Sequence, residues 1–211
     1  MYVPEHFQEN DQSRLLDHIE TLGFGILVLA DSQGIEANHL PFLLDRPPSG
    51  GPVRLACHVA RNNPVWQRLT PEMKVLVIFQ GPQAYISPSW YPTKAEHGRA
   101  VPTWNYLAIH AEGPARATTD PSWLRHHLSQ LTDHHERHRS TPWQLSDAPE
   151  AFTNRLMQNI VGIEITIDTL VGKTKASQNQ PEKNHAGVIV GLNQEPCSNA
   201  HELARMMADE N

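Results

Sequence analysis

The spacing of apolar and polar residues changes period several times along this chain. From Asp11, the positions of Leu15, Leu16, Ile19 and Leu22 predict one apolar helical face, and Gly23 supplies its stop. Phe24 to Ala30 is a continuous apolar run of strand length. After a turn at Ser32, Gln33 and Gly34, the segment IEANHLPFLL resumes an extended pattern, which reads as an antiparallel hairpin. Pro47, Pro48, Gly50 and Gly51 make a loop, and Val53, Leu55, Cys57 and Val59 then alternate as a third strand. Pro64 opens a short helical turn through Trp66 and Leu69. A fourth strand is expected over Lys74 to Gln80, a turn at Gly81 and Pro82, a short fifth strand in QAYIS, and a sixth over Thr103 to Ala117.

Asp120 and Pro121 signal a helix running to about Arg139, followed by a second helical piece from Pro149 to Asn159. The cleanest alternation is in IVGIEITIDTLVGK, where Val161, Ile163, Ile165 and Ile167 oppose Gly162, Glu164, Thr166 and Asp168. Two modest helical patterns follow, around Ala186 to Leu192 and Ala200 to Met207. Six or seven strands at hairpin spacing, with helices at the start, middle and end, predict a mainly β, α+β fold. The architecture expected is an antiparallel barrel or strongly curled sheet with peripheral helices, not a doubly wound parallel sheet. We expect a single domain over 1–211, with a helical insertion at about 120–159 and a helical C-terminal tail at about 182–211.

Composition narrows the function classes. Hydrophobic residues make up 39% and charged residues 19%, an ordinary globular balance. The net charge of -6 offers no overall positive field for nucleic acid. Cys57 and Cys197 are too few and too far apart for a disulfide framework or a thiolate zinc site. With no long apolar run, the expectation is a cytoplasmic protein with no membrane partner.

Three segments carry candidate chemistry. CHVARNNP ends a strand in Arg61, Asn62 and Asn63 ahead of a helix start, an arrangement suited to an anion or to plain capping. GKTKASQNQP places Lys175, Ser177 and Gln178 after the best strand, which suits a phosphate or a heterocycle edge, or a surface loop. Tyr85 to Tyr106 concentrates tryptophans, tyrosines and prolines on a bent backbone, as either a core corner or a wall for a flat ligand. Asn38, His39 and His58 lie inside apolar strands, where histidine is more often structural than a metal ligand. The histidines of the middle helix, including His127, His134 and His138, read as a solvated face. No metal site is assigned.

In order, MYVPEHF, ANHLPF, HVARNNP, YISPSWY, VPTWNY, IVGIEI and GKTKASQNQ resemble the PaiB-like family, described as FMN-binding negative transcriptional regulators. The resemblance runs from Met1 to about Leu192. It implies an antiparallel split β-barrel of the FMN-binding type, FMN as cofactor, and a homodimer with flavin sites at the interface. The cofactor-binding set it implies is Asn38, His39, His58, Arg61, Asn62, Ser87, Trp90, Trp104, Lys175, Ser177 and Gln178. Arg61 and Asn62 would meet the phosphate, Asn38 and His39 the isoalloxazine, and Ser87, Trp90 and Trp104 the ring or ribityl chain. Lys175, Ser177 and Gln178 would close the site. Thr174, Ala176 and Gln180 depart from the family's usual tryptophan, leucine and arginine, which implies a wider or weaker flavin pocket. The resemblance admits a DNA partner that the charge does not support. It leaves open an NAD(P)H-dependent flavin oxidoreductase and a flavin-free ligand-binding protein.

Overall fold

The computed structural model describes residues 1–47 and 50–209; Pro48 and Ser49 of the expected loop, and Glu210 and Asn211 of the tail, lie outside them. The chain divides into two compact units. Unit 1 comprises residues 1–18, 79–110 and 171–211, and unit 2 comprises residues 19–78 and 111–170. Three strands, β6 (Lys74–Ile86), β7 (Thr103–Thr118) and β9 (Thr169–Lys175), contribute residues to both, as does the first helix, α1 (Gln12–Leu22).

Unit 2 is built on β2 (Phe24–Asp31) and β3 (Gly34–Pro41), the hairpin expected from the sequence, with Leu27 opposite Asn38 and Ile26 opposite His39. β2 also pairs antiparallel with the start of β6. A second set runs β4 (Leu43–Asp45), β5 (Arg54–Ala60), β8 (Ile160–Thr166) and the end of β7, all antiparallel. Alternation in β5 buries Leu55, Cys57 and Val59, and β8 buries Val161, Ile163 and Ile165 against the same core. Two helices complete the unit, α3 (Pro121–Glu136), capped by Asp120 accepting from the Ser122 N–H, and α4 (Glu150–Met157).

Unit 1 combines β1 (Gln8–Glu9), β9 (Thr169–Lys175) and the remaining parts of β6 and β7. β1 pairs antiparallel with β9, and β9 neighbours β7. α1 (Gln12–Leu22) buries Leu15, whose side chain fills the space a Cβ on Gly172 would need. A short helix α2 (Lys94–His97) precedes β7, and α5 (Glu182–Gln194) packs on α6 (Ser198–Asp209). Ile86, Tyr91, Ala176, Val188, Leu192, Leu203, Ala204 and Met207 form the core of this unit.

The α+β, mainly antiparallel class expected from the sequence is the observed one, with local differences that have physical causes. β6 is one continuous strand, not two. Gly81 does not turn the chain; a Cβ there would lie 2.8 Å from Leu107, so glycine serves close packing. Conversely, the long alternating run at 160–173 belongs to two strands, β8 and β9. At its break, Ile167 and Asp168 donate their N–H groups to Val53 and Glu112, and Gly113 approaches Thr166 so closely that a Cβ would sit 1.7 Å from its carbonyl. The middle helix ends at Glu136 rather than Arg139.

Candidate functional site

In unit 1, a cavity of about 420 Å³ gathers residues from segments far apart in the sequence, Phe7 among them. The turn after β6 supplies Tyr91 and Thr93, the start of β7 supplies Thr103 and Asn105, and the end of β9 with the following turn supplies Lys175 and Ser177. Arg99 and His97 add cationic and polar groups to its lining.

The walls are held by buried polar contacts. Thr93 donates its N–H and hydroxyl to Asn184 Oδ1 at 3.3 and 3.1 Å, and the Asn184 amide bonds Gln180 Oε1 at 3.2 Å. This ties the first turn of α5 to the segment before α2. Ser177 has φ of 59°, a left-handed conformation that costs a non-glycine residue about 1 kcal/mol. Gln178 braces that turn: its Oε1 accepts from the Ala176 N–H at 2.7 Å and its Nε2 donates to the Thr174 carbonyl at 2.6 Å.

Lys175 Nζ donates to Thr103 Oγ1. Burial lowers its pKa from the ordinary lysine value, with the Lys173 charge adding to the effect and Tyr106 opposing it. Burial also raises the Tyr91 phenol, whose hydrogen bond with Ser177 opposes the rise. Asn105 is completely buried, yet its Oδ1 has no hydrogen-bond partner. A planar, polar, anionic cofactor fits this set: open volume, a cation, and an acceptor awaiting a donor.

The other aromatic candidates serve different surroundings. Trp90 lies against α5, where Cβ atoms on Gly187 and Gly191 would come within 2.2 Å of its carbonyl and its ring. Trp104 is half exposed and meets Tyr85 edge to face at 6.4 Å, beside a second cavity of about 380 Å³ that includes Cys197. Ser87 caps a short 3-10 turn by accepting from the Ser89 N–H. A third cavity, of about 440 Å³, takes in Phe7, Arg14, Thr174, Gln178 and His185.

In unit 2 the remaining candidates bond within the chain. Asn38 accepts from Asn63 at 2.6 Å and donates to Glu36, which with Asp31 clasps Arg68. Arg61 donates to the carbonyls of Gln158 at 2.5 Å and Ile160 at 3.3 Å, fastening the entry to β8. His39 and Asn62 are exposed. His58 Nδ1 lies 3.1 Å from Nε2 of His127, a buried residue stacked on Trp123. The middle-helix face is therefore not uniformly solvated. Burial, then the neighbouring charges of His58 and His126, lower the His127 pKa to about 4, and burial lowers that of His58.

Sequence reasoning passed over Asn105, Thr93 and Asn184, and read the buried His127 as part of a solvated face. Asn105 had a readable signal, a carboxamide in the apolar row shared with Leu107 and Ile109. Thr93 and Asn184 had none, since 91 positions separate them.

A family model described as "Putative FMN-binding domain" matches residues 1–169. The chain is 30% identical to "Protease synthase and sporulation protein PAI 2" of Bacillus subtilis, over all of this chain and 98% of that protein. It is 37% identical to an uncharacterised protein of Emericella nidulans, covering 91% of this chain and 90% of the other. Among solved structures, it resembles an FAD and heme binding protein of Mycobacterium smegmatis with a TM-score of 0.59 at 15% identity, covering 87% and 80% of the two chains. A conserved hypothetical protein of Mycobacterium tuberculosis gives a TM-score of 0.60 at 10% identity, covering 86% and 95%. At these identities the structural likeness speaks for the fold.

Proposed function

Because this chain belongs to the FMN-binding family of that model, with a split-barrel fold and a flavin as its cofactor, we propose that FMN seats in the unit 1 cavity and sets the state of a negative transcriptional regulator. The observation that carries the placement is the convergence of YISPSWYPT, VPTWN and KTKAS on one cavity. Bound flavin would supply electron and hydride transfer. The residues here would supply binding and polarity: Lys175 a positive charge toward the ring, Tyr91 an apolar wall, and Thr103 a hydroxyl.

The chain would act as a homodimer, in which the exposed His39 and Asn62 are the side chains a second copy's flavin could meet. Thr174 lines the separate 440 Å³ cavity, so a tryptophan in its place would narrow that cavity rather than the one proposed for the flavin. A second reading, an NAD(P)H-dependent flavin oxidoreductase, is favoured by Arg99 and His97 at the open cavity, which suit a phosphate-bearing donor.

The test is the visible spectrum of the purified protein, before and after FMN is added and free flavin removed. Retained flavin bands support the placement; a colourless protein that retains no FMN contradicts it. Bleaching by NADH or NADPH would favour the oxidoreductase. Promoter DNA retained at low salt and released as salt rises would favour the regulator.

A further inference from the structure

Asn105 stands out among the buried polar groups of unit 1. Its Nδ2 donates to Ser177 Oγ at 2.8 Å and lies 3.8 Å from Met207 Sδ, so the nitrogen faces two acceptors. The reversed carboxamide could still bond the Ser177 hydroxyl, which donates as well as accepts, but it would turn its oxygen toward the Met207 sulfur and lose that contact. The orientation shown leaves Oδ1 buried and without a donor, in a residue that lines the cavity. Burying an amide oxygen unpaired is costly, and a ligand N–H delivered there removes the cost. The left-handed Ser177 and its Gln178 brace hold the other end of the amide in place.

We propose that Asn105 reads the imide edge of the flavin, its Oδ1 accepting the N3–H. This rests on the flavin placement above. Oxidised isoalloxazine has a single ring N–H, at N3, between two carbonyl groups. The cavity offers a matching order of groups: a bare acceptor at Asn105, with donors nearby in Lys175 and Thr103 for the carbonyls. Asn105 is thus a specificity-determining residue, distinguishing an imide from flat heterocycles that carry no N–H at the equivalent edge.

Affinities of wild type and Asn105→Leu for FMN and for N3-methyl-FMN test the assignment. Wild type is expected to bind the methylated cofactor about 5- to 100-fold more weakly, and the variant to bind the two alike. Equal binding by wild type, or discrimination that persists in the variant, overturns the proposal. Steric exclusion of the methyl group is separated by nitrogen-15-labelled FMN on wild type, which does not depend on the variant folding. The N3 proton should be protected from exchange with water; exchange as fast as in free FMN overturns the proposal. If neither flavin binds, the flavin placement itself falls and takes the proposal with it.

Discussion

The unit 1 cavity and the histidine cluster of unit 2 both place polar side chains among apolar neighbours, and they differ in what surrounds those side chains. Around His58 and His127 the space is filled by protein: the imidazoles meet at 3.1 Å and Trp123 stacks on His127 with centroids 5.1 Å apart, although His127 Nδ1 is buried without a hydrogen-bond partner. Around Asn105 and Lys175 the space remains open, and Asn105 Oδ1 waits for a donor. Each region thus keeps one unpaired buried polar atom; the difference is that Asn105 belongs to the lining of an open cavity, which a ligand can fill, whereas His127 is packed by its own chain.

The largest effect should come from crowding the closed cluster. A Cβ on Gly162 would lie 2.2 Å from the Trp123 ring, so Gly162→Val is expected to cost about 3 kcal/mol in denaturant unfolding. A loss below about 1 kcal/mol would mean that the ring yields and the packing is loose.

Protonation unsettles the same cluster by up to a similar amount, spread over a pH interval. The folded-state pKa of His127, about 4, lies below the ordinary value of 6.5, so the folded protein binds its proton less readily than the unfolded chain. Stability should therefore be full above about pH 6.5 and fall as pH drops toward about 4, by on the order of 3 kcal/mol at most. In His127→Gln the slope of stability over that interval should flatten, and an unchanged slope would remove His127 as its source. Smaller again is Asn184→Ala, which leaves the Thr93 N–H and hydroxyl without their acceptor. It should cost about 2 kcal/mol and loosen the cavity wall, seen as faster amide exchange at Thr93.

Legibility in the sequence followed how local each cause is. The hairpin of β2 and β3 and the buried rows of β5 and β8 were readable because alternation of apolar side chains is a property of neighbouring residues. Gly81 misled because its reason, Leu107, lies 26 positions away. The break at Ile167 was hidden because its hydrogen bonds go to Val53 and Glu112. In the site, Lys175 and Ser177 stood out as polar residues following a strand, and the structure brings both to the cavity. Arg61 also stood out, yet its guanidinium bonds two carbonyls of its own unit. A charge visible in sequence does not reveal whether its partner is a ligand or the backbone.

The contrast between the two regions predicts unequal responses to FMN. Lys175→Met removes a half-buried cation from the cavity wall and should weaken FMN binding by about tenfold, a change of about 1.4 kcal/mol. His127→Gln, assayed near about pH 8 where the wild-type imidazole is neutral, should leave binding within about twofold. Fluorescence titration of FMN into wild type and these two variants measures this directly. The account predicts saturable binding to wild type, lost preferentially in Lys175→Met. Equal losses in the two variants, or wild-type affinity in Lys175→Met, would contradict the assignment of the flavin to the unit 1 cavity.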